Sequence, residues 1–548
     1  MTGRTQQYCI SRNLSIYALY LLLAGCGGNG EIAVTPTPTP TPTPSAAPTF
    51  AEKCAGLQGK TVATAEIALP TTGATIGDAQ VIAATATAPE YCQVRGAIAP
   101  VDRFAPAINF QLNLPSSWNQ KAVHFGGGGA NGVVITGLGN MPGSANSGTP
   151  IPTPLARGYA TFGSDSGHVG SDYSFGLNEE AYLNFGGDQL RKTLDTAQSI
   201  IKTFYGSAPK RQYFAGGSQG GKEAFIAIQR WPAKYDGIVA YYPATNLVAQ
   251  SVGQVYQVQA IFNTPGAWIN PTKLALVESR VIQTCDPLDG VQDGLISNVA
   301  ACASTFDFAP LRCPSGGDDG NTCLSDVQIS VLRKVSTRTT LPFALDAGVN
   351  SAPGRPTYSG GSSGLYLYGS SGSYQDLGLG GIIRNFVTKD QSQTPTNHNP
   401  MTWAAGWLRH SVATDASTAD LTGFRNRGGK IIWVHGLADS AYLGQASADY
   451  YERLRSFFGD TALRAFVRMY LVPGYDHGNG AFNVSFDSLP VLEKWVENGE
   501  APAADALVAA DGAAATRGRT RPLCDYPKWP RYRGTGDVNL AASYQCVP

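Results

Sequence analysis

The chain is poor in charge. Only 15% of its 548 residues are Asp, Glu, Lys or Arg, and the 40 basic and 40 acidic side chains cancel. Globular chains usually carry about 25%. That balance argues against a nucleic-acid surface or any partner recruited by broad electrostatic attraction. No long apolar run follows the N-terminal region, so no transmembrane span is expected in the mature protein. No internal repeat occurs apart from a short Thr-Pro tract. Histidine is scarce, and beyond residue 218 only His398, His410, His435 and His477 remain. Any general base in that part of the chain must come from these four.

Glycine, by contrast, is abundant at 64 residues, and many tight turns are expected. The apolar fraction of 43% supports a sizeable core. The length suits one large domain with an insertion, or several smaller domains.

Arg4 and Arg12 precede an apolar stretch at residues 14–23, and small residues follow, the pattern of an export signal. The stretch ends Leu23-Ala24-Gly25-Cys26, which resembles a bacterial lipobox. In such a segment Cys26 is lipidated and becomes the new N-terminus. Residues 1–25 are therefore expected to form a lipoprotein signal peptide. Residues 26–50, with the Thr-Pro repeat, are expected to form an extended tether, because proline fixes φ. The expected location is the cell envelope as an outer-membrane lipoprotein, with a periplasmic or secreted protein as the alternative. Apart from Cys9 and Cys26, eight cysteines remain: Cys54, Cys92, Cys285, Cys302, Cys313, Cys323, Cys524 and Cys546. An even set in an exported chain implies disulfides. Sequential pairing is the simplest arrangement, although the sequence alone permits many others.

Strands are predicted at residues 123–125, 159–162, 212–215 and 237–242. Helices are predicted at 179–205 and 222–230, the first from Leu190, Leu194, Ile201 and Phe204 at helical spacing. The rhythm stops between 246 and 411, which hold four cysteines and many Gly, Ser and Pro residues. It returns with a strand at 430–434, a helix at 447–457, a strand at 465–472 and a helix at 489–498. Alternation of this kind indicates an α/β fold with a mostly parallel sheet and helices on both faces. Residues 51–245 and 412–548 are read as the main domain, and 246–411 as an insertion.

Gly216-Gly217-Ser218-Gln219-Gly220 matches the nucleophile elbow G-x-S-x-G, set between a predicted strand and a predicted helix. The glycines fit because the turn that exposes the serine oxygen is crowded and strained. This points to an α/β-hydrolase fold, in which the chain order is serine, acid, histidine. His477 lies in the loop after the strand ending Leu471-Val472, where a base belongs. Asp439 follows the strand at 430–434 and is positioned to orient that base. His435 reads as a packed strand-end residue, His398 and His410 as structural or exposed, and Asp476 as a loop cap. An oxyanion needs backbone donors: the amide of Gln219, and one from Gly126 to Gly129, where Gly128 is favoured but Gly127 and Gly129 are not separated from it. Asp286, Asp289 and Asp293, with the carbonyls of Val291 and Leu295, suit calcium, a hard cation that takes oxygen ligands. The alternative there is an Asx-rich surface turn.

These motifs together resemble the tannase and feruloyl esterase family. The likeness runs from about Cys54 to Cys546. It rests on residues 125–132, the Gly158 to His168 segment, the Ser218 elbow, residues 285–294, residues 436–439, residues 473–477 and the tail from Arg521. The resemblance implies that residues 246–411 form a lid domain and that the aspartate loop binds a structural calcium. It also implies the pairs Cys54–Cys92, Cys285–Cys302, Cys313–Cys323 and Cys524–Cys546, and a structural His168. Members usually carry a disulfide between the residue before the serine and the residue after the histidine; here those positions are Gly217 and Gly478. The expected activity is Ser-His-Asp hydrolysis of esters of aromatic acids of the hydroxycinnamic, gallic or terephthalic type. The alternatives are an esterase for short aliphatic esters and an inactive surface lipoprotein that binds phenolic or polysaccharide ligands.

Overall fold

Runs of consecutive buried apolar residues, such as Ile431 to Val434, mark strands that are covered on both faces. The structure, a computed structural model, describes Gly27, Gly28 and residues 47–361, 374–376 and 378–548. The expected signal peptide and Cys26 lie outside the described residues, as does nearly all of the tether.

Ten strands form the main sheet: β1 (Thr61–Val62), β2 (Gly73–Ile82), β3 (Tyr91–Ala99), β4 (Ile108–Pro115), β5 (Lys121–Phe125), β6 (Ala160–Ser164), β7 (Arg211–Gly217), β8 (Gly237–Tyr241), β9 (Lys430–Gly436) and β10 (Val467–Val472). Their spatial order is β1-β2-β3-β4-β6-β5-β7-β8-β9-β10. From β6 through β10 every neighbouring pair is parallel. β1 to β4 extend that block as an antiparallel meander, joined through β4 and β6. The carboxyl ends of β5, β7, β9 and β10 therefore lie along one edge of the parallel block, where α/β folds place ligands.

The helices used below are α1 (Gln189–Tyr205), α2 (Gln219–Arg230), α3 (Leu247–Phe262), α4 (Pro271–Cys285), α5 (Ala404–Thr414), α6 (Gly444–Phe458) and α7 (Ser488–Asn498). The helix predicted over 179–205 is not continuous. Residues Glu179–Leu183 form a separate turn, and a π-helical step at Asn184–Asp188 precedes α1. Gly187 has φ +135°, and a Cβ there would press on Ile226 of α2 at 2.8 Å. Close helix contact and an unusual backbone angle thus both require glycine at the break.

Between β8 and β9 the chain passes through α3, α4 and α5. This segment has its own apolar cluster, including Val252, Leu274, Leu332, Ile383 and Trp407, which Tyr182 and Phe185 join from outside it. The expected boundary at 411 falls inside α5, which runs to Thr414. Residues Pro48–Pro548 nevertheless form a single compact unit.

All four expected disulfides are present. Their Cα separations are 5.6 Å for Cys54–Cys92, 5.0 Å for Cys285–Cys302, 4.9 Å for Cys313–Cys323 and 5.4 Å for Cys524–Cys546. These distances lie within the range that a disulfide spans without backbone distortion. Among the described residues no helix is long and apolar enough to cross a membrane.

Candidate active site

Ser218 stands between the last residue of β7 and the first of α2, with φ +61° and ψ −123°. A non-glycine residue in that region is strained and persists only where its surroundings hold it. Its amide donates to the Tyr241 carbonyl at 3.0 Å, which fixes the turn against β8. A Cβ at Gly216 would run into the Gly220 backbone at 2.3 Å, and one at Gly220 into the backbone of Gly126 and Gly127 at 2.7 Å and beyond.

His477 and Asp439 reach Ser218 from the loops after β10 and β9. His477 Nε2 lies 2.9 Å from Ser218 Oγ, and His477 Nδ1 lies 2.9 Å from Asp439 Oδ2. Asp439 is fully buried. Its Oδ1 accepts the amides of Ala441 and Tyr442, each at 2.9 Å. Burial by itself would raise this carboxyl, but the hydrogen bonds from His435 and His477 outweigh it and lower the group to about 2. Asp439 therefore stays ionised throughout the neutral range.

His435 makes a contact that the strand-end reading missed. Its Nε2 lies 3.2 Å from Asp439 Oδ2 and 2.7 Å from the Tyr442 carbonyl, while Nδ1 meets the Ser447 hydroxyl at 2.6 Å. Two imidazoles thus share one carboxylate oxygen. The spacing of His435 and Asp439, four residues apart, was the available signal. Asp476 caps its loop as expected, accepting the amides of Ser440 and His477, both at 2.8 Å. His168 is buried, donates from Nε2 to the Ala130 carbonyl at 2.7 Å, and stacks on Phe175. His398 is buried and takes the indole N–H of Trp407 at 3.0 Å, so it is structural rather than exposed.

The glycine loop after β5 divides into occupied and unoccupied donors. The amide of Gly126 is bonded to the Ala215 carbonyl and that of Gly127 to Glu223 Oε2, both at 2.9 Å. Among the described residues, the amides of Gly128 and Gly129 have no such acceptor. A Cβ at Gly128 would meet nothing within 4 Å, and Gly129 lines the cavity above Ser218. Gly127 is thereby removed from the candidates. The amide of Gln219 opens α2, where helical N–H groups lack partners within the helix. Glu223 was not foreseen. It is 1% exposed and also accepts Asn131 Nδ2 at 3.0 Å, so one carboxylate braces the whole loop.

Gly217 and Gly478 lie on either side of a single aromatic ring. A Cβ at Gly217 would come within 2.8 Å of the Tyr242 ring, and one at Gly478 within 3.3 Å of its hydroxyl. The same ring packs on His477 with 4.7 Å between centres. Tyr242 occupies the space between the two loops, so a pair of cysteines here would meet this ring before they met each other.

The expected metal loop is built around three carboxylates. Asp286 accepts the amides of Asp293 and Gly294 at 3.2 and 3.0 Å, and Asp289 accepts Ser297 N at 3.1 Å. Asp293 accepts Leu295 N at 3.0 Å and is held from outside by Arg521 and by the Tyr544 hydroxyl. Burial, with a further contribution from Asp293, raises Asp289 to about 6 and raises Asp286 as well. Among the described residues nothing donates to the carbonyls of Val291 or Leu295. Carboxylate and carbonyl oxygens are the ligand type that a hard divalent cation takes, while each carboxylate here is already bonded within the loop and Asp293 is also paired with Arg521.

A cavity of about 460 Å³ opens over Ser218, Gln219 and His477, with Phe185, Leu247, Ile382 and Phe386 among its walls. His410, expected to be structural or exposed, is buried in the wall of this cavity.

Residues 92–547 match the family described as tannase and feruloyl esterase. The chain is 36% identical over 531 residues to an uncharacterized esterase of Agrobacterium fabrum, covering 90% of this chain and 93% of that one. It is 32% identical over 532 residues to the mono(2-hydroxyethyl) terephthalate hydrolase of Piscinibacter sakaiensis, covering 85% and 86%. In fold it is similar to the crystal structure of feruloyl esterase B from Aspergillus oryzae. The TM-score is 0.77 at 22% identity, over 91% of this chain and 100% of that one. The parallel-sheet edge, the strained serine and the extent of these matches lead to one conclusion: the chain belongs to the tannase and feruloyl esterase family and is a carboxylic ester hydrolase.

Proposed function

We propose that the chain is an exported serine esterase that cleaves esters of aromatic carboxylic acids through Ser218, His477 and Asp439. The observation that carries this reading is the continuous pair of 2.9 Å contacts from Asp439 through His477 to Ser218 at the mouth of an apolar cavity. His477 Nε2 takes the Ser218 proton as Oγ attacks the ester carbonyl, and Asp439 stabilises the resulting imidazolium. The amides of Gln219 and Gly128 receive the oxyanion. His477 then protonates the leaving alcohol, and water releases the acid by the reverse sequence. The insertion at 246–411 acts as a lid that supplies cavity walls such as Leu247 and Phe386. Four disulfides suit an oxidising compartment. A panel of galloyl, feruloyl, terephthaloyl and short aliphatic methyl esters tests the reading. The aromatic esters are expected to be preferred by at least about tenfold in kcat/KM, since an apolar pocket rewards ring burial. A preference for the aliphatic esters would overturn it.

Asp286, Asp289 and Asp293, with the carbonyls of Val291 and Leu295, hold a structural calcium in this reading. The metal takes no part in the chemistry. A pH dependence follows from Asp289. Its folded-state value near 6 stands above the ordinary 3.8, so the metal-free folded protein binds more protons than the unfolded chain between those values. Stability of the metal-free protein then falls as pH rises from about 4 to about 6, and calcium offsets that loss. Chelation is expected to lower Tm by several degrees at pH 7.5 and far less at pH 4.5. An unchanged Tm at pH 7.5, with no calcium found by elemental analysis, would reduce the loop to a surface turn.

A further inference from the structure

Lys222 stands one turn beyond Ser218 on α2, and its amide donates to the Ser218 carbonyl at 3.1 Å. Its side chain is only 1% exposed, yet it lines the cavity above the serine. Among the described residues its ammonium has no hydrogen-bond partner, and it lies 5.7 Å from the centre of the Phe185 ring. Buried ammonium groups are normally paired or fully hydrogen-bonded, because their desolvation is costly.

The nearby carboxylates do not complete it. Asp415 accepts the Val248 amide and the Ser411 hydroxyl, and Glu223 is engaged by Gly127 and Asn131. Neither comes within ion-pair distance of Lys222 among the described residues. Their fields still act on it: burial pulls Lys222 down to about 8, while Asp415 and Glu223 hold it up. The same wall holds His410, which burial and neighbouring cations lower to about 3, so it is neutral. Nδ1 of His410 lies 3.0 Å from the Tyr182 hydroxyl, which holds the ring in the wall. Lys222 is a donor whether or not it carries its charge. It calls for a ligand oxygen with free lone pairs, at the side of an otherwise apolar, aromatic-lined cavity. Beside Lys222, Asp415 and Glu223 already offset the charges of the lysine and of Arg230, and Arg355, another cation lining the cavity, is held by the Ser440 carbonyl at 2.6 Å, so a neutral oxygen suits this wall better than a further full negative charge.

We propose that Lys222 is a specificity residue that donates a hydrogen bond to a neutral oxygen substituent, hydroxyl or methoxyl, on the aromatic ring of the substrate acid. The inference rests on the aromatic-ester reading above and narrows it to hydroxylated or methoxylated acids in preference to acids with a second carboxylate. The mechanism makes no other use of this residue.

The test compares kcat/KM for methyl 4-hydroxycinnamate, methyl cinnamate and monomethyl terephthalate, for the wild type and for Lys222→Met. The wild type is expected to favour the hydroxylated ester over plain cinnamate by about tenfold or more, since a site built to bond a hydroxyl rejects the analogue that lacks it. In Lys222→Met that ratio is expected to collapse to within about twofold of unity. A ratio that survives the substitution overturns the role of Lys222, and so does a wild-type preference for the terephthalate. Should Lys222→Met fail to fold, calorimetry on Ser218→Ala protein with the free acids decides instead. Tighter binding of 4-hydroxycinnamate than of cinnamate is then required, and equal binding overturns the proposal. Inactivity of the wild type towards all three esters would sink the aromatic-ester reading itself, a result distinct from activity without hydroxyl preference.

Discussion

Ser218→Ala is expected to lower turnover by about three to six orders of magnitude while the protein stays folded. The size of the effect follows from the geometry. Ser218 Oγ is the atom that His477 Nε2 addresses at 2.9 Å, and no other hydroxyl in the site is bonded to that nitrogen among the described residues. Removing it leaves the oxyanion donors and the cavity in place, and these account for the residual rate over water. Stability should change little. The φ of +61° is a property of the turn, and alanine carries the same Cβ as serine, so no new clash arises. The lost contact is a single partly exposed hydrogen bond, of the order of 1 kcal/mol. Steady-state kinetics on an aryl ester, alongside a thermal melt, check both parts. Retention of a tenth or more of wild-type turnover would rule out Ser218 as the nucleophile.

Glu223→Ala is expected to cost about a hundredfold in kcat with little change in KM. Glu223 does not reach the substrate; it positions the loop that does. Its two carboxylate oxygens hold Gly127 N and Asn131 Nδ2, and the loop between those residues contains Gly128 and Gly129. Without the brace, the Gly127 amide is left unsatisfied in a buried place, Asn131 Nδ2 keeps only the Ser166 hydroxyl, and the loop is free to reorient. An oxyanion donor acts mainly on the transition state, and losing one typically costs about 10² to 10³ in kcat. The loss should therefore appear in kcat and not in substrate binding. Glu223→Gln should fall between alanine and wild type, because an amide can accept at only one of its two ends. If the alanine variant lowers Tm but leaves kcat within about threefold, Glu223 is a fold residue only.

Some of this was open to reading along the chain, and the reason is local. The Ser218 elbow depends on glycines within two residues, so its strain and its place between strand and helix are encoded in a short segment. Asp439 and His477 each follow a strand with a strongly apolar core, and their chain order after Ser218 identifies them. Periodicity also located α2, β9 and α7. The meander β1 to β4 was not anticipated. Its strands pair antiparallel at the margin of the sheet, and their burial is set by neighbours rather than by a clear run of apolar residues. The break at Gly187 was hidden in the same way, since apolar spacing continues across it and only contact with Ile226 demands the glycine.

The pairs that matter most are distant in sequence. Nothing near Glu223 announces that it holds Gly127, 96 residues earlier. Tyr242 fills the space between Gly217 and Gly478 only because β8 lies beside β7 and β10 lies beyond β9. His410 reaches the cavity wall because α5 packs against α3 and the π-helical step at Asn184–Asp188, and Lys222 becomes a buried donor only when that wall closes over it. The sequence by itself determined which residues are proposed for the chemistry, because a candidate nucleophile, base and acid are marked by residue type, chain order and local turn geometry. The tertiary structure alone decided how those residues are braced and which side chains line the cavity. Burial, pairing and the direction of a side chain are properties of segments brought together by packing, and no single segment carries them.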